Sequence, residues 1–208
     1  MTTETRRPAQ RKLTRKGQET RRRIVAAAAT LMYERGVTEA TLEDVRAAAG
    51  VSGSQIYHYF ADKQELLLAV IEFQTEAVLD MQKPLFAGLD TMKGLRQWRD
   101  ALVEYQLRLQ CRGGCPIGSL GSEIAETNPE ARLAAASGFL RWESAIREGL
   151  QKMHDRGELG TDPDDLALAL LAALQGGLLL TQLQRQVRPL EVALDSMLDH
   201  VEACMKRA

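Results

Sequence analysis

The stretch TLEDVRAAAGVSGSQIYHYF, Thr41 to Phe60, carries two helix starts and one helix stop. Thr41 stands where a side-chain oxygen accepts from the open N–H groups of a first helical turn, with Asp44 three residues on. Gly50 suits the residue that ends such a helix, which leaves room for about two turns. Ser52 repeats the capping role for a second short helix reaching about Tyr59. Two short helices around a three-residue, glycine-containing turn form a helix-turn-helix signature.

The same stretch gathers Tyr57, Tyr59 and Phe60 in a chain with ten aromatic residues in all, yet it is too short and too polar to bury three rings alone. A reading helix has to be both anchored and exposed, and that demand accounts for the cluster. Ile56, Tyr59 and Phe60 face inward against the preceding helices, while Ser54, Gln55, Tyr57 and His58 face solvent. In a major groove the N-terminal residues of the second helix meet base edges and flanking groups hold phosphates. Gln pairs bidentately with adenine, Ser and His reach base edges or phosphates, and a Tyr hydroxyl donates to phosphate. Lys63 adds a cation in the next first turn, and Thr41 offers its hydroxyl or first-turn N–H groups across the groove.

Helix signals dominate on either side. Ile24, Ala27, Ala28 and Leu31 fit one face of a helix that ends near Gly36. Asp62, with Glu65 completing a capping box, opens a long helix lined by Leu66, Leu67, Val70, Phe73, Ala77 and Met81 until Pro84 stops it. Further helices are expected over about 93–110, inside IGSLGSEIAE, from Asn128 and Pro129 to Gly157, over about 164–184 and over 190–206, with RPL separating the last two.

A chain of 208 residues with 45% apolar content can bury a sizeable core. The net charge of −1 hides a split: residues 1–60 carry eleven Lys/Arg against six Asp/Glu, and residues 61–208 carry sixteen against twenty-two. A basic front on an acidic remainder points to a polyanion partner for the front alone. Residues 1–23 hold nine Lys/Arg, and arms of this type place Arg in a minor groove beside a reading helix. The polar opening lacks an export signal, so a cytoplasmic protein is expected. LALALLAALQGGLLLTQL from Leu166 is broken by Gln, Gly and Thr, as in a buried helix, so no membrane partner is expected. An odd count of three cysteines argues against a disulfide framework, and the scattered His58, His154 and His200 make no metal site; no cofactor is expected.

Ile24 to Gly36, followed by TLEDVRAAAGVSGSQIYHYFADKQELLLAVI, resembles the DNA-binding domain of the TetR/AcrR family of bacterial transcriptional repressors over about residues 20–72. Gly-Val-Ser, an aliphatic-Tyr pair, an aromatic and Phe, then Asp-Lys and a leucine at fixed spacing carry the likeness. The resemblance implies an all-α fold of about nine helices. A basic arm (1–19) precedes a helix-turn-helix domain (20–65) and a helical effector-binding and dimerisation domain (66–208). It places Thr41, Ser52, Gln55, Tyr57, His58 and Lys63 at DNA. Ser54 departs from the family's frequent Gly and Arg46 from its usual Ala; Ser54 alters which groups reach the groove.

By the same resemblance, the chain is a repressor that binds a near-palindromic double-stranded operator as a homodimer. The last helix has a stripe at Leu190, Leu194, Met197, Leu198, Val201 and Met205, which with the penultimate helix and the same pair from a second copy makes a four-helix bundle. The resemblance also implies a pocket for a small, largely apolar effector, lined by some of Phe86, Trp98, Tyr105, Phe139 and Trp142.

CRGGCPIGSL, from Cys111, adds an alternative. Cys115 precedes a first-turn proline, where the helix dipole favours thiolate, and Cys111 lies close enough in sequence to resolve an oxidised partner. Its Gly-Cys-Pro loop is similar to that of TetR-like sensors of electrophiles or oxidants, which implies a thiol-sensing repressor. A rival from another class is a helical enzyme using Cys115 with His154 as base. It has no evident orienting third group and no phosphate loop, and it leaves the basic arm unexplained.

Overall fold

The computed structural model describes residues 13–206, and among them all regular elements are helical apart from an isolated bridge between Leu159 and Met205. The helices are α1 (Arg15–Arg35), α2 (Leu42–Ala49), α3 (Gly53–Tyr59), α4 (Lys63–Phe86), α5 (Met92–Arg108), α6 (Pro116–Ile124), α7 (Pro129–Asp155), α8 (Pro163–Gln184) and α9 (Arg188–Ala203). Residues 1–12 of the expected arm lie outside the described residues. The helix begins at Arg15 rather than near residue 20, because Thr14 accepts the N–H of Gly17 at 3.2 Å and caps it there.

Helices α1 to α3 build the front of the molecule. Ile24, Ala28, Leu31 and Met32 of α1 meet Val45 and Ala49 of α2, Ile56 of α3 and Phe60 in a shared core. A seven-residue helix is far too short to stand alone in water. Burying Ile56 and Phe60 stabilises it by about 1.5–3 kcal/mol each, which accounts for its persistence. Gly50 ends α2 in the left-handed region at φ 61, ψ 42.

Two prolines sit differently from expectation. Pro84 does not stop α4, which runs on to Phe86. In the last turn a missing N–H releases only the carbonyl of exposed Asp80, which water can satisfy. Pro189 lies in the first turn of α9 instead of before it, since first-turn N–H groups have no helical partner to lose. The box at α4 is also shifted: Asp62 accepts from the Glu65 N–H at 2.8 Å, but Glu65 returns to the N–H of Ala61, not Asp62.

Helices α4 to α9 form the second, larger part. Helix α8 is long and apolar enough to cross a membrane by length and composition alone. Leu166, Leu170, Leu174 and Leu178 are nevertheless buried, and α8 packs against α7 and α9. Arg99 of α5 grips Asp195 of α9 through two bonds of 2.8 Å. Trp98 is fully buried, and its indole N–H donates to Gln82 Oε1 at 2.8 Å.

Candidate nucleic-acid interface and cavities

On α3 the inward and outward faces separate as their chemistry requires. Ile56 and Phe60 are buried, and Tyr59 is half-buried with its hydroxyl beside Gly17 of α1. The Arg21 guanidinium lies 5.0 Å from the Phe60 ring centre. Ser52, Ser54, Gln55, Tyr57 and His58 are exposed, Tyr57 to 62%, and α3 contains no carboxylate that would repel a phosphate. Ser52 accepts the Gln55 N–H at 3.2 Å and sits 3.0 Å from the Ser54 hydroxyl. The Gln55 amide oxygen takes the Ser52 N–H at 2.8 Å, so its NH2 and one oxygen lone pair remain for a base edge.

The other two expected contacts are engaged within the chain. Thr41 donates its hydroxyl to Asp44 Oδ2 at 2.5 Å and accepts the Asp44 N–H at 3.1 Å, which leaves the first-turn N–H groups of α2 as the donors it presents. Lys63 Nζ donates to the Thr38 carbonyl at 2.9 Å. Arg46 turns to Glu43, its Nε 2.8 Å from Oε2.

The α1–α2 turn is held from a second side. Glu123, at the end of α6, takes the N–H of Val37 at 2.9 Å and that of Thr38 at 3.1 Å. Sequence reading missed this residue, since its partners lie 86 and 85 positions away and no local pattern connects them.

Two cavities open in the second part. The larger, about 920 Å³, is bounded by α1, α4, α5, α7 and α8, by the first turn of α6 and by the loop before it; Tyr33, Phe73, Tyr105, Gln106 and Trp142 are among its walls. The smaller, about 460 Å³, lies between α6, α7 and α8 and includes Phe139, Leu168, Gln175 and Leu179. Of the five aromatics expected together, Tyr105 and Trp142 face the larger cavity and Phe139 the smaller. Trp98 and Phe86 face neither: Trp98 is consumed by the core and its Gln82 partner, and Phe86 packs half-buried at the end of α4.

Tyr33, unforeseen because it belongs to α1, brings the front of the molecule into the cavity wall. Burial raises its phenol pKa, with Tyr105 adding to the shift. The loop reaches it by left-handed backbone at Gln110, Cys111, Gly113 and Gly114. A Cβ on Gly113 would lie 2.5 Å from the Tyr33 hydroxyl and one on Gly114 2.3 Å from the end of the Gln182 side chain, and the positive φ at both, 100 and 58, favours glycine there.

Cys115 caps α6, its sulfur accepting the Gly118 N–H at 3.4 Å. The helix terminus does not activate it as expected. Burial pushes the thiol pKa above its ordinary value, outweighing the opposing bonds from Gly118, Ile117 and Gln175. Cys111 is also buried, and both are free thiols. His154, the base of the enzyme alternative, is exposed in the last turn of α7 and is not among the groups that bond Cys115, which are Gly118, Ile117 and Gln175.

An exposed polar reading helix braced by buried rings, ahead of a hollow helical body, defines a helix-turn-helix transcriptional regulator. Comparison with known proteins agrees: residues 24–70 match the family described as bacterial regulatory proteins, tetR family, and residues 91–197 match the tetracyclin repressor-like C-terminal domain. The chain belongs to the TetR family of DNA-binding transcriptional regulators. It is 29% identical over 181 residues to an HTH-type transcriptional regulator of Mycobacterium tuberculosis, covering 83% of this chain and 89% of that one. It is 25% identical over 178 residues to the HTH-type transcriptional repressor DhaR of a Mycobacterium species, covering 82% and 86%. The crystal structure of a TetR transcriptional regulator from Chloroflexus aurantiacus superposes with a TM-score of 0.77 at 30% identity, covering 94% of this chain and 100% of that one.

Proposed function

We propose that this regulator is a cytoplasmic repressor that binds a near-palindromic operator as a homodimer and is released by a small molecule in the larger cavity. The observation that carries this proposal is the path of α6. It starts at the cavity wall with Cys115, Pro116 and Ser119, and its far end, Glu123, holds the turn ahead of α2. A ligand that favours another placement of α6 therefore alters the setting of the reading helix; such coupling is typically about 1–3 kcal/mol, enough for release.

One helix of seven residues reads too little DNA, whereas two about 34–36 Å apart read two half-sites. Leu179, Leu180 and Leu183 of α8 and Val192 of α9 are exposed, which supports pairing of these helices with a second copy. Thr41, Ser52, Ser54, Gln55, Tyr57, His58 and Lys63 are assigned to DNA, with Lys63 leaving Thr38 to do so. Tyr105 and Trp142 are assigned to the effector. The similarity to a relative named as a repressor supports the direction of regulation.

Selection of bound duplexes from a random pool tests the proposal. The expected winner is a near-palindrome, bound by a dimer in sedimentation, with log K falling by about 0.9 per neutralised phosphate per log unit of salt. Tyr57→Phe should weaken binding to all duplexes alike. A monomer that enriches no duplex would refute it.

A further inference from the structure

We propose that the larger cavity takes an organic acid, an apolar body bearing one carboxylate and a hydroxyl, with the carboxylate directed to Arg112 and Arg185. This assignment of ligand class rests on the proposal that the cavity is the effector site. The wall contains those two arginines and no Asp or Glu. Eight arginines, at 35, 46, 96, 99, 108, 141, 147 and 156, pair with carboxylates. Among the described residues Arg112 and Arg185 pair with none, as do Arg15, Arg21, Arg22, Arg23, Arg132 and Arg188, but of these unpaired arginines it is Arg112 and Arg185 that line this cavity. Residues 61–208 carry an excess of acidic side chains, so two cations without acidic partners on one cavity are not explained by a shortage of carboxylates.

Arg185 is held in place. It caps α8 in left-handed backbone, and its Nη1 donates to the Cys111 carbonyl at 3.1 Å, which leaves its other N–H groups for a ligand. The same loop that takes the Arg185 guanidinium at Cys111 abuts the Tyr33 hydroxyl at Gly113, so cation and hydroxyl both border this end of the cavity. An anion there would meet guanidinium and phenol donors together.

Deeper in the wall two buried polar atoms lack partners. Trp142 is 2% and Gln106 3% exposed, yet Trp142 Nε1 and Gln106 Oε1 have no hydrogen bond among the described residues. Both atoms are closed off from the lumen and each is unfavourable to leave unsatisfied, so a ligand hydroxyl that draws these side chains toward it gains selectivity over a plain hydrocarbon. The indole N–H asks for a ligand oxygen and the amide oxygen for a donor, a pair of demands that hydroxyl chemistry meets. Phe73, Met81, Val78 and Leu102 supply apolar wall for the body, and about 920 Å³ lies within the range of sites for drug-sized molecules.

The test is calorimetry and operator release on the full chain with hydroxyphenylpropanoate, hydroxybiphenylcarboxylate and octanoate, each beside its methyl ester, and octanol. At least one hydroxy acid should bind about tenfold or more tighter than its ester, and Arg112→Gln with Arg185→Gln should abolish that difference. Circular dichroism and melting report the folding of the pair; Arg112→Gln alone, at an exposed residue, keeps the test should the pair fail to fold. Esters or octanol binding as well as the acids, no binding by any acid, or acid binding indifferent to both arginines would overturn the ligand class. Neutral compounds that release the operator would sink the acid and keep the effector proposal. Acids that bind without releasing it would do the reverse.

Discussion

Glu123 accepts the backbone N–H of Val37 at 2.9 Å, so a carboxylate at the end of α6 fastens the turn between α1 and α2. With its other oxygen on Thr38 N–H, and Lys63 on the Thr38 carbonyl, the turn is gripped by side chains from both α6 and α4. Both elements border regions that a ligand or DNA would contact. The turn therefore ties the two halves of the molecule together, and the proposed coupling would pass through it.

Replacing Glu123 by Ala removes both acceptors from exposed N–H groups that water can serve, so stability should fall by only about 1 kcal/mol. The coupling should suffer more. The ratio of operator affinities without and with a releasing ligand should contract toward one in Glu123→Ala. An unaltered ratio, measured by fluorescence anisotropy on a labelled duplex, would remove Glu123 from the path.

Gln55 caps α3 and is proposed to face the groove, and one substitution separates these roles. Gln55→Glu retains an acceptor for the Ser52 N–H but loses the NH2. Its melting temperature should stay near that of the parent, while operator affinity falls and selected duplexes shift from adenine toward cytosine, whose amino group donates to carboxylate. Gln55→Ala loses the cap as well and should cost about 0.5–1 kcal/mol of stability. Identical duplex preferences in all three proteins would mean that Gln55 does not read bases.

Acid should loosen the front of the molecule. The Thr41 hydroxyl, then the Thr41 N–H, hold the Asp44 carboxyl below its ordinary pKa, with Arg35 adding a smaller effect. A folded-state value below the unfolded one stabilises the fold above the ordinary Asp value of about 3.9, and the contribution disappears as pH falls through the folded value. Glu76, held down by Arg141, and Glu158, held down by Arg156, follow the same sign. Denaturant midpoints should therefore drop below about pH 4, and Asp44→Asn should flatten that limb. An acid limb as steep in the variant as in the parent would contradict the assignment.

Cys115 should be a slow thiol. Burial keeps it protonated, and the sign is opposite to that of Asp44: the stability it lends is complete below the ordinary thiol value and fades as pH rises beyond it. Iodoacetamide at neutral pH should label half-buried Cys204 before Cys115, as read by peptide mass spectrometry. Faster labelling at Cys115 would restore the thiol-sensing alternative.

What was legible in the sequence was chiefly local. Thr41, Ser52, Asp62 and Asn128 each announce a helix because capping is decided within four residues, and each caps one in the structure. The two-sidedness of α3 follows from which of its side chains can be buried at all. Distant partnerships were not legible. Trp98 looks like a cavity aromatic until Gln82, sixteen positions earlier, is seen to take its N–H. Glu123 and Tyr33 belong to neither apolar stripe nor motif, and only the tertiary fold gives them neighbours. Arg112 and Arg185 resemble any surface cations until the fold sets both on a cavity wall that holds no carboxylate.

Cys115, Ser119 and Gln182 belong to the walls of both cavities, and the smaller cavity also includes Leu179, which is exposed on the side proposed to meet a second copy. The partition between the two chambers is thus one layer of side chains, with the proposed effector site on one side and the proposed seam between subunits on the other. On that proposal an occupant that swells one chamber would press on the room next door, and the first subunit to fill would change the welcome its twin extends to the next molecule.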